Sequence, residues 1–170
     1  MSISMYQASV PVFVRGLTTM SHVLHKGEAH AKDTGADPTS LVEARLAPDM
    51  LPLAGQVQRA SDTSKLAMER ITGTPSPKLD DSEKTFAELY ARIEKTIAYI
   101  DSFKEDQLDG LENSTIELKL REFTPTFSGS SYLFTFALPN FFFHVTTAYD
   151  ILRHKGVPLS KMDYLRLKEL

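Results

Sequence analysis

The sequence predicts a mainly α protein, a four-helix bundle carrying a small inserted β-hairpin and short extra helices. Three observations point there. Four long stretches repeat their apolar residues at steps of three and four, the period of a helix that buries one face. Glycine and proline cluster between these stretches, where helices stop. One short stretch after the third alternates apolar and charged residues with the period of a strand. At 170 residues, 42% hydrophobic and 24% charged, the chain is expected to fold as one domain spanning residues 1–170.

The first long helix is read over residues 6–32, where Val10, Phe13, Val14, Leu17, Met20 and Leu24 form the stripe. Pro11 falls near its beginning, where a missing N–H costs least or else bends the helix. Gly35 marks its stop. Asp37 can cap a short helix over residues 38–47, with Pro38 at its first position and Pro48 ending it. The second long helix is placed over residues 50–72, burying Leu53, Val57, Ala60, Leu66 and Ala67. Gly73, Pro75 and Pro77 stop it.

The third has the cleanest stripe, Phe86, Leu89, Ile93, Ile97 and Ile100, with Asp81 or Ser82 as cap and an end near Phe103. Residues 115–121 then alternate Ile116, Leu118 and Leu120 against Glu117, Lys119 and Arg121 and are read as a strand. Turn-rich residues 124–131 lead to an expected return strand over residues 131–137. Pro139 can open the last long helix, which Gly156 and Pro158 stop, and residues 160–167 can add a terminal helix.

Composition narrows the function classes. A net charge of −3 gives no general attraction to phosphate backbones or anionic lipid, so neither a nucleic-acid nor a membrane partner is expected. No export signal or membrane span is read, and the cytoplasm is the expected location. With no cysteine, disulfides, thiolate nucleophiles and cysteine-ligated metals are excluded. No glycine-rich phosphate loop, nucleophile elbow or paired-histidine zinc motif occurs, which leaves open whether the chain is an enzyme.

The leading candidate site lies in residues 140–153. Asn140 and His144 are four apart, so both project from one helix face, and Thr147 extends that face by a turn. Phe141, Phe142, Phe143 and Tyr149 supply apolar walls, the composition of a small-molecule pocket. In such a pocket Asn140 would orient a ligand and His144 would exchange a proton as the catalytic group. The competing reading makes Asn140 a partner for a helix end or hairpin carbonyl and His144 a hydrogen-bonded core histidine. Gln56, Gln58 and Asp62 on the second helix could complete a site or simply bond between helices, and Tyr6 is a weaker candidate. His22, His25 and Glu28 recur at threes on the first helix, with His30 on another side; solvated side chains fit that polar end better than a metal does. Arg153, His154 and Lys155 form a cationic helix end that the helix dipole alone explains.

Residues 138–158, LPNFFFHVTTAYDILRHKGVP, resemble an uncharacterised domain-of-unknown-function family of the DinB/YfiT-like superfamily, and residues 45–62, RLAPDMLPLAGQVQRASD, resemble it too. The resemblance implies a four-helix bundle with one long crossover, often a homodimer, and in many members a metal held by three histidines, two of them four apart on the last helix. His144 matches the second of that pair, but Asn140 stands at the first, and the second helix offers Gln56 or Gln58 in place of histidine. Amides are poor substitutes for imidazole on a transition metal. The expectation is therefore a metal-independent site for an unidentified small molecule, with no metal ligand assigned and the cofactor unknown. A divergent metal-dependent transferase or isomerase, and a dimerisation module without catalysis, are the alternatives.

Overall fold

The computed structural model describes residues 3–120 and 122–167. Its long helices are α1 (Met5–Thr34), α3 (Leu53–Thr72), α4 (Phe86–Asp101) and α6 (Leu138–His154), with a short α2 (Pro38–Val42) between the first two. Helix α1 starts on a capping box, in which Ser4 accepts from the Gln7 amide and the Gln7 side chain accepts from Ser4, and it ends at Gly35 with φ 69°. Pro11 is carried inside without breaking the helix. Asp37 caps α2 through the Thr39 amide, but α2 stops at Val42, short of Ala47. Helix α3 starts at Leu53, since Pro52 is still extended at φ −67°, ψ 171°. The α4 cap is Thr85, paired with Glu88 in a capping box, rather than Asp81 or Ser82.

Cross-helix contacts fix the directions. Gly16 meets Phe141 and Gly27 meets Leu152, so α1 and α6 run parallel. Gln58 bonds Glu83, Asp62 pairs with Arg92, and Tyr99 reaches the Thr74 carbonyl, so α3 and α4 also run parallel. Gln56 with His144 and Thr63 with Asn140 make α3 and α6 antiparallel. Around the bundle the order is α1, α4, α3, α6, with α1 opposite α3 and α4 opposite α6. The chain thus runs up, down, down, up, and residues 73–85 form the single long crossover, returning along the bundle from the end of α3 to the start of α4.

The hairpin is smaller than the sequence suggests and lies earlier. Strand β1 (Thr115–Glu117) pairs antiparallel with β2 (Thr126–Ser128), with Ile116 opposite Phe127. Leu118 and Leu120 continue the bonding by donating to the carbonyls of Pro125 and Phe123, while Arg121, in the expected strand, lies outside the described residues. Residues 131–137 do not return as a strand. Ser128 caps a helical turn, α5 (Gly129–Tyr132), which continues through a π-helical turn (Leu133–Ala137) directly into α6. Gly129 is needed there, because a Cβ would come 2.1 Å from the Leu111 carbonyl oxygen. Tyr132, Leu133 and Ala137 are then buried from a helical backbone. Helix α7 (Lys161–Leu165), with Ser160 at its cap, closes the described chain against α1 and is shorter than residues 160–167.

The core lies where the four long helices meet. Phe13, Leu17, Met20, Leu24, Leu53, Met68, Leu89, Ile93 and Phe141 are all at most 1% exposed. Phe13 and Phe141 pack edge to face at 5.1 Å across α1 and α6. Among the described residues no helix is long and apolar enough to cross a membrane.

Candidate functional site

The seam between α3 and α6 gathers the polar residues that the sequence singles out. Gln56 is 1% exposed, and its amide nitrogen donates to the Leu51 carbonyl at 3.0 Å. A carbonyl only accepts, so the amide cannot be turned over, and its Oε1 faces His144 Nδ1 at 2.8 Å. His144 must then donate from Nδ1. The neutral ring is held as the Nδ1–H tautomer, with a lone pair on Nε2. That nitrogen has no hydrogen-bond partner among the described residues, and His144 as a whole is 9% exposed. Burial pushes the imidazole pKa from its ordinary 6.5 down to about 4, and the nearby Arg59 guanidinium acts in the same direction.

One turn earlier on α6, Asn140 Nδ2 donates to Thr63 Oγ1 at 2.8 Å. The four-residue step from Asn140 to His144 is thus answered by the seven-residue step from Gln56 to Thr63, two positions on one face of α3. Arg59 lies between those positions and pairs with Asp62 at 3.1 Å and with Asp81. Phe143, 55% exposed, stands edge to face with the imidazole at 5.2 Å.

The remaining candidates go elsewhere. Thr147 is buried and donates back to the Phe143 carbonyl at 2.7 Å. Tyr149 packs against Tyr164 of α7, centroids 5.9 Å apart. Gln58 turns to the other side of α3 and donates to Glu83 at 2.9 Å. Tyr6 gives its backbone amide to Asp109 at 3.1 Å. His22 pairs with Asp163 at 3.5 Å, His25 stacks on Tyr90 at 4.0 Å, and Glu28 accepts from the Tyr90 hydroxyl at 2.8 Å, so these three do not converge. In the cationic end of α6, Arg153 reaches the Val157 carbonyl at 3.4 Å.

Gln58 and Asp62 belong to an ion cluster that sequence reasoning missed. Arg92, 2% exposed, holds Asp62 at 2.9 Å, Asp81 at 3.1 Å and Glu83 at 2.8 Å, and donates to the Asp80 carbonyl at 3.1 Å. Lys65 also meets Asp62, at 3.3 Å. Burial acts to raise the Glu83 carboxyl, but bonds from Arg92 and Gln58 outweigh it and hold the carboxyl below its usual range. The cluster pins the crossover onto α3 and α4. A signal existed in the sequence: Arg92 and Thr96 sit between Leu89, Ile93 and Ile100, polar residues inside an apolar stripe.

A metal of the three-histidine kind does not fit this seam. Only His144 offers an imidazole, the Gln56 oxygen is already committed to it, and the Asn140 amide is bound to Thr63. Among the described residues no group of three or more histidine, aspartate or glutamate side chains is arranged to hold an ion. The seam instead holds the unpartnered Nε2 of His144, with the Phe143 ring against the imidazole and the Arg59 guanidinium nearby.

The family described as "Domain of unknown function (DUF1993)" matches residues 5–165. A crystal structure of a DinB family member protein from Shewanella denitrificans is similar over 94% of this chain and 90% of that one, with 38% sequence identity and a TM-score of 0.87. No curated protein matches the chain. With the family spanning the bundle from α1 through α7 and that neighbour sharing its architecture, the chain belongs to the DUF1993 family, a domain of unknown function in the DinB-like superfamily.

Proposed function

We propose that the chain binds a small molecule at the α3–α6 seam, through His144 and without a metal. The observation that carries this reading is the bond from His144 Nδ1 to Gln56 Oε1, which leaves Nε2 as an acceptor with no partner among the described residues. A ring whose pKa lies near 4 is neutral at pH 7 and accepts a hydrogen bond without first losing a proton. As a general base it is weak, because proton transfer works best when the pKa is close to the operating pH. Binding is therefore its main task, and acid–base catalysis follows only where a ligand raises the ring's pKa toward the operating pH. Phe143 stands edge to face with the ring, and Oδ1 of Asn140, which has no partner among the described residues, offers a second acceptor. The ligand class is a compact molecule with an N–H or O–H donor on an apolar body.

The test is a ligand-observed NMR screen of alcohols and secondary amides carrying small aromatic groups, repeated with ¹⁵N-labelled histidine in the protein. Hits should move the His144 Nε2 resonance and should bind about tenfold or more weakly to Gln56→Leu, which loses the bond that sets the tautomer. Hits that bind His144→Leu and Gln56→Leu as well as the parent protein would overturn the reading. So would stoichiometric metal in untagged protein that is lost in His144→Leu.

A further inference from the structure

On the face of α6 away from His144, α1, α6 and α7 line a cavity of about 440 Å³. We propose that it is a binding site for a small amphipathic carboxylate, with the carboxylate on Arg15 and the apolar body against α6. Pro11, Val12, Gly16, Phe142, Val145 and Leu165 make its walls mainly apolar. Its volume is within the range of about 300–1,000 Å³ common for small-molecule sites. It shares no lining residue with the His144 seam.

The charge on its wall selects the head group. Among the described residues Arg15 is its one charged lining residue and forms no ion pair. One guanidinium nitrogen donates to the Leu165 carbonyl at 2.5 Å, and the planar group carries further N–H donors for a ligand. Gln7, two turns earlier on the same face of α1, also lines the cavity; its Oε1 accepts from Ser4, which leaves its amide nitrogen as a donor. A cation and an amide donor on an apolar wall whose described residues include no carboxylate are complementary to an anion with an apolar tail.

Helix α7 forms the outer wall through Tyr164 and Leu165. Polar bonds hold it: Lys26 to Asp163 at 2.6 Å, Thr19 to the Tyr164 carbonyl at 3.3 Å, and Arg15 to the Leu165 carbonyl. Five residues attached by such bonds can shift to admit a ligand while the long helices stay packed. Binding should therefore tighten α7.

Octanoate and its uncharged counterpart octanol test the proposal by calorimetric titration of the full chain. Octanoate should bind about tenfold or more tightly than octanol, and Arg15→Gln should remove that preference while leaving octanol unaffected. Val12→Phe, which adds bulk at a half-buried wall position, should weaken both about tenfold or more. Amide exchange over Lys161–Leu165 should slow when octanoate binds. Equal affinity for the two probes, unchanged binding in Val12→Phe, or a self-associated species in sedimentation whose formation excludes octanoate would each overturn it. Circular dichroism and thermal melts establish that the variants are folded. Since the two sites share no lining residue, either proposal can fail alone.

Discussion

Protonation of His144 should cost the fold measurable stability in a defined pH window. In the unfolded chain the ring titrates near 6.5, whereas in the folded protein burial and the neighbouring Arg59 bring it to about 4. Between these values the unfolded chain binds a proton that the native state refuses. Stability therefore rises with pH across the window, and the contribution present above pH 6.5 is lost as pH falls toward 4. At about 1.4 kcal/mol per pH unit, the full gap corresponds to about 3 kcal/mol, a large share of the roughly 5–15 kcal/mol that holds an ordinary domain together. Glu69 and Glu83, also held below their usual range, act in the same direction, but only once pH nears ordinary carboxylate values. The His144 effect is thus cleanest between pH 6.5 and 5. Urea unfolding of the parent and of His144→Leu at pH 7, 6 and 5 isolates it: the parent should lose about 2 kcal/mol over that range, and the variant should lose far less. ¹⁵N-histidine NMR should show Nδ1 protonated and Nε2 bare at pH 7. A His144 titration near 6.5, or the same pH slope in both proteins, would refute the burial and tautomer argument.

Two further substitutions test the packing. Gly16→Ala places a Cβ 2.3 Å from Cε1 of Phe141, a ring that is 0% exposed and held against Phe13, so the overpacking cost of about 1–3 kcal/mol should exceed the roughly 1 kcal/mol that alanine gains in a helix. Gly27→Ala meets only the far end of Leu152, at 2.8 Å, and should be milder; a melt in which Gly27→Ala is the more damaging would contradict the packing. Arg92→Met leaves Asp62, Asp81 and Glu83 without their shared guanidinium and should cost about 3 kcal/mol, with Arg92→Lys intermediate because it keeps the charge but not the fork. An unchanged urea midpoint in Arg92→Met would show that the cluster does not hold the crossover.

The four long helices were legible because each buries one stripe, and that requirement is written into the spacing of the apolar residues. What the spacing cannot encode is direction. Nothing in the period of α3 and α4 states that they run parallel, and contacts such as Gln58–Glu83, Asp62–Arg92 and Tyr99–Thr74 reveal it. The expectation of a return strand over residues 131–137 failed for a local reason. Tyr132, Phe134 and Phe136 alternate with smaller or polar neighbours, yet the segment turns with a π-helical pitch, and the true partner of β1 is the short Thr126–Ser128. A cap at Ser128 and a close approach at Gly129 outweigh strand propensity there.

The candidate site was legible on one helix and ambiguous on the other. Asn140 and His144 share a face by helical geometry alone, whereas Gln56 and Gln58, two residues apart, must point to different sides of α3, and the sequence does not say which side meets α6. Packing decides: Gln56 is taken by His144 and Gln58 by Glu83. That choice has a chemical consequence. Because Gln56 is oriented by the Leu51 carbonyl, the tautomer of His144 depends on the backbone just before α3, where Leu53 is itself tied to the Ala44 carbonyl at 2.8 Å. Leu51 is 44% exposed, so a ligand that displaces it also disturbs the acceptor that orients Gln56. The amides at Gln56 and Asn140 therefore each satisfy the α3–α6 seam directly. Gln56 connects the ring to a loop that solvent reaches, and Asn140 ties α6 to α3 through Thr63.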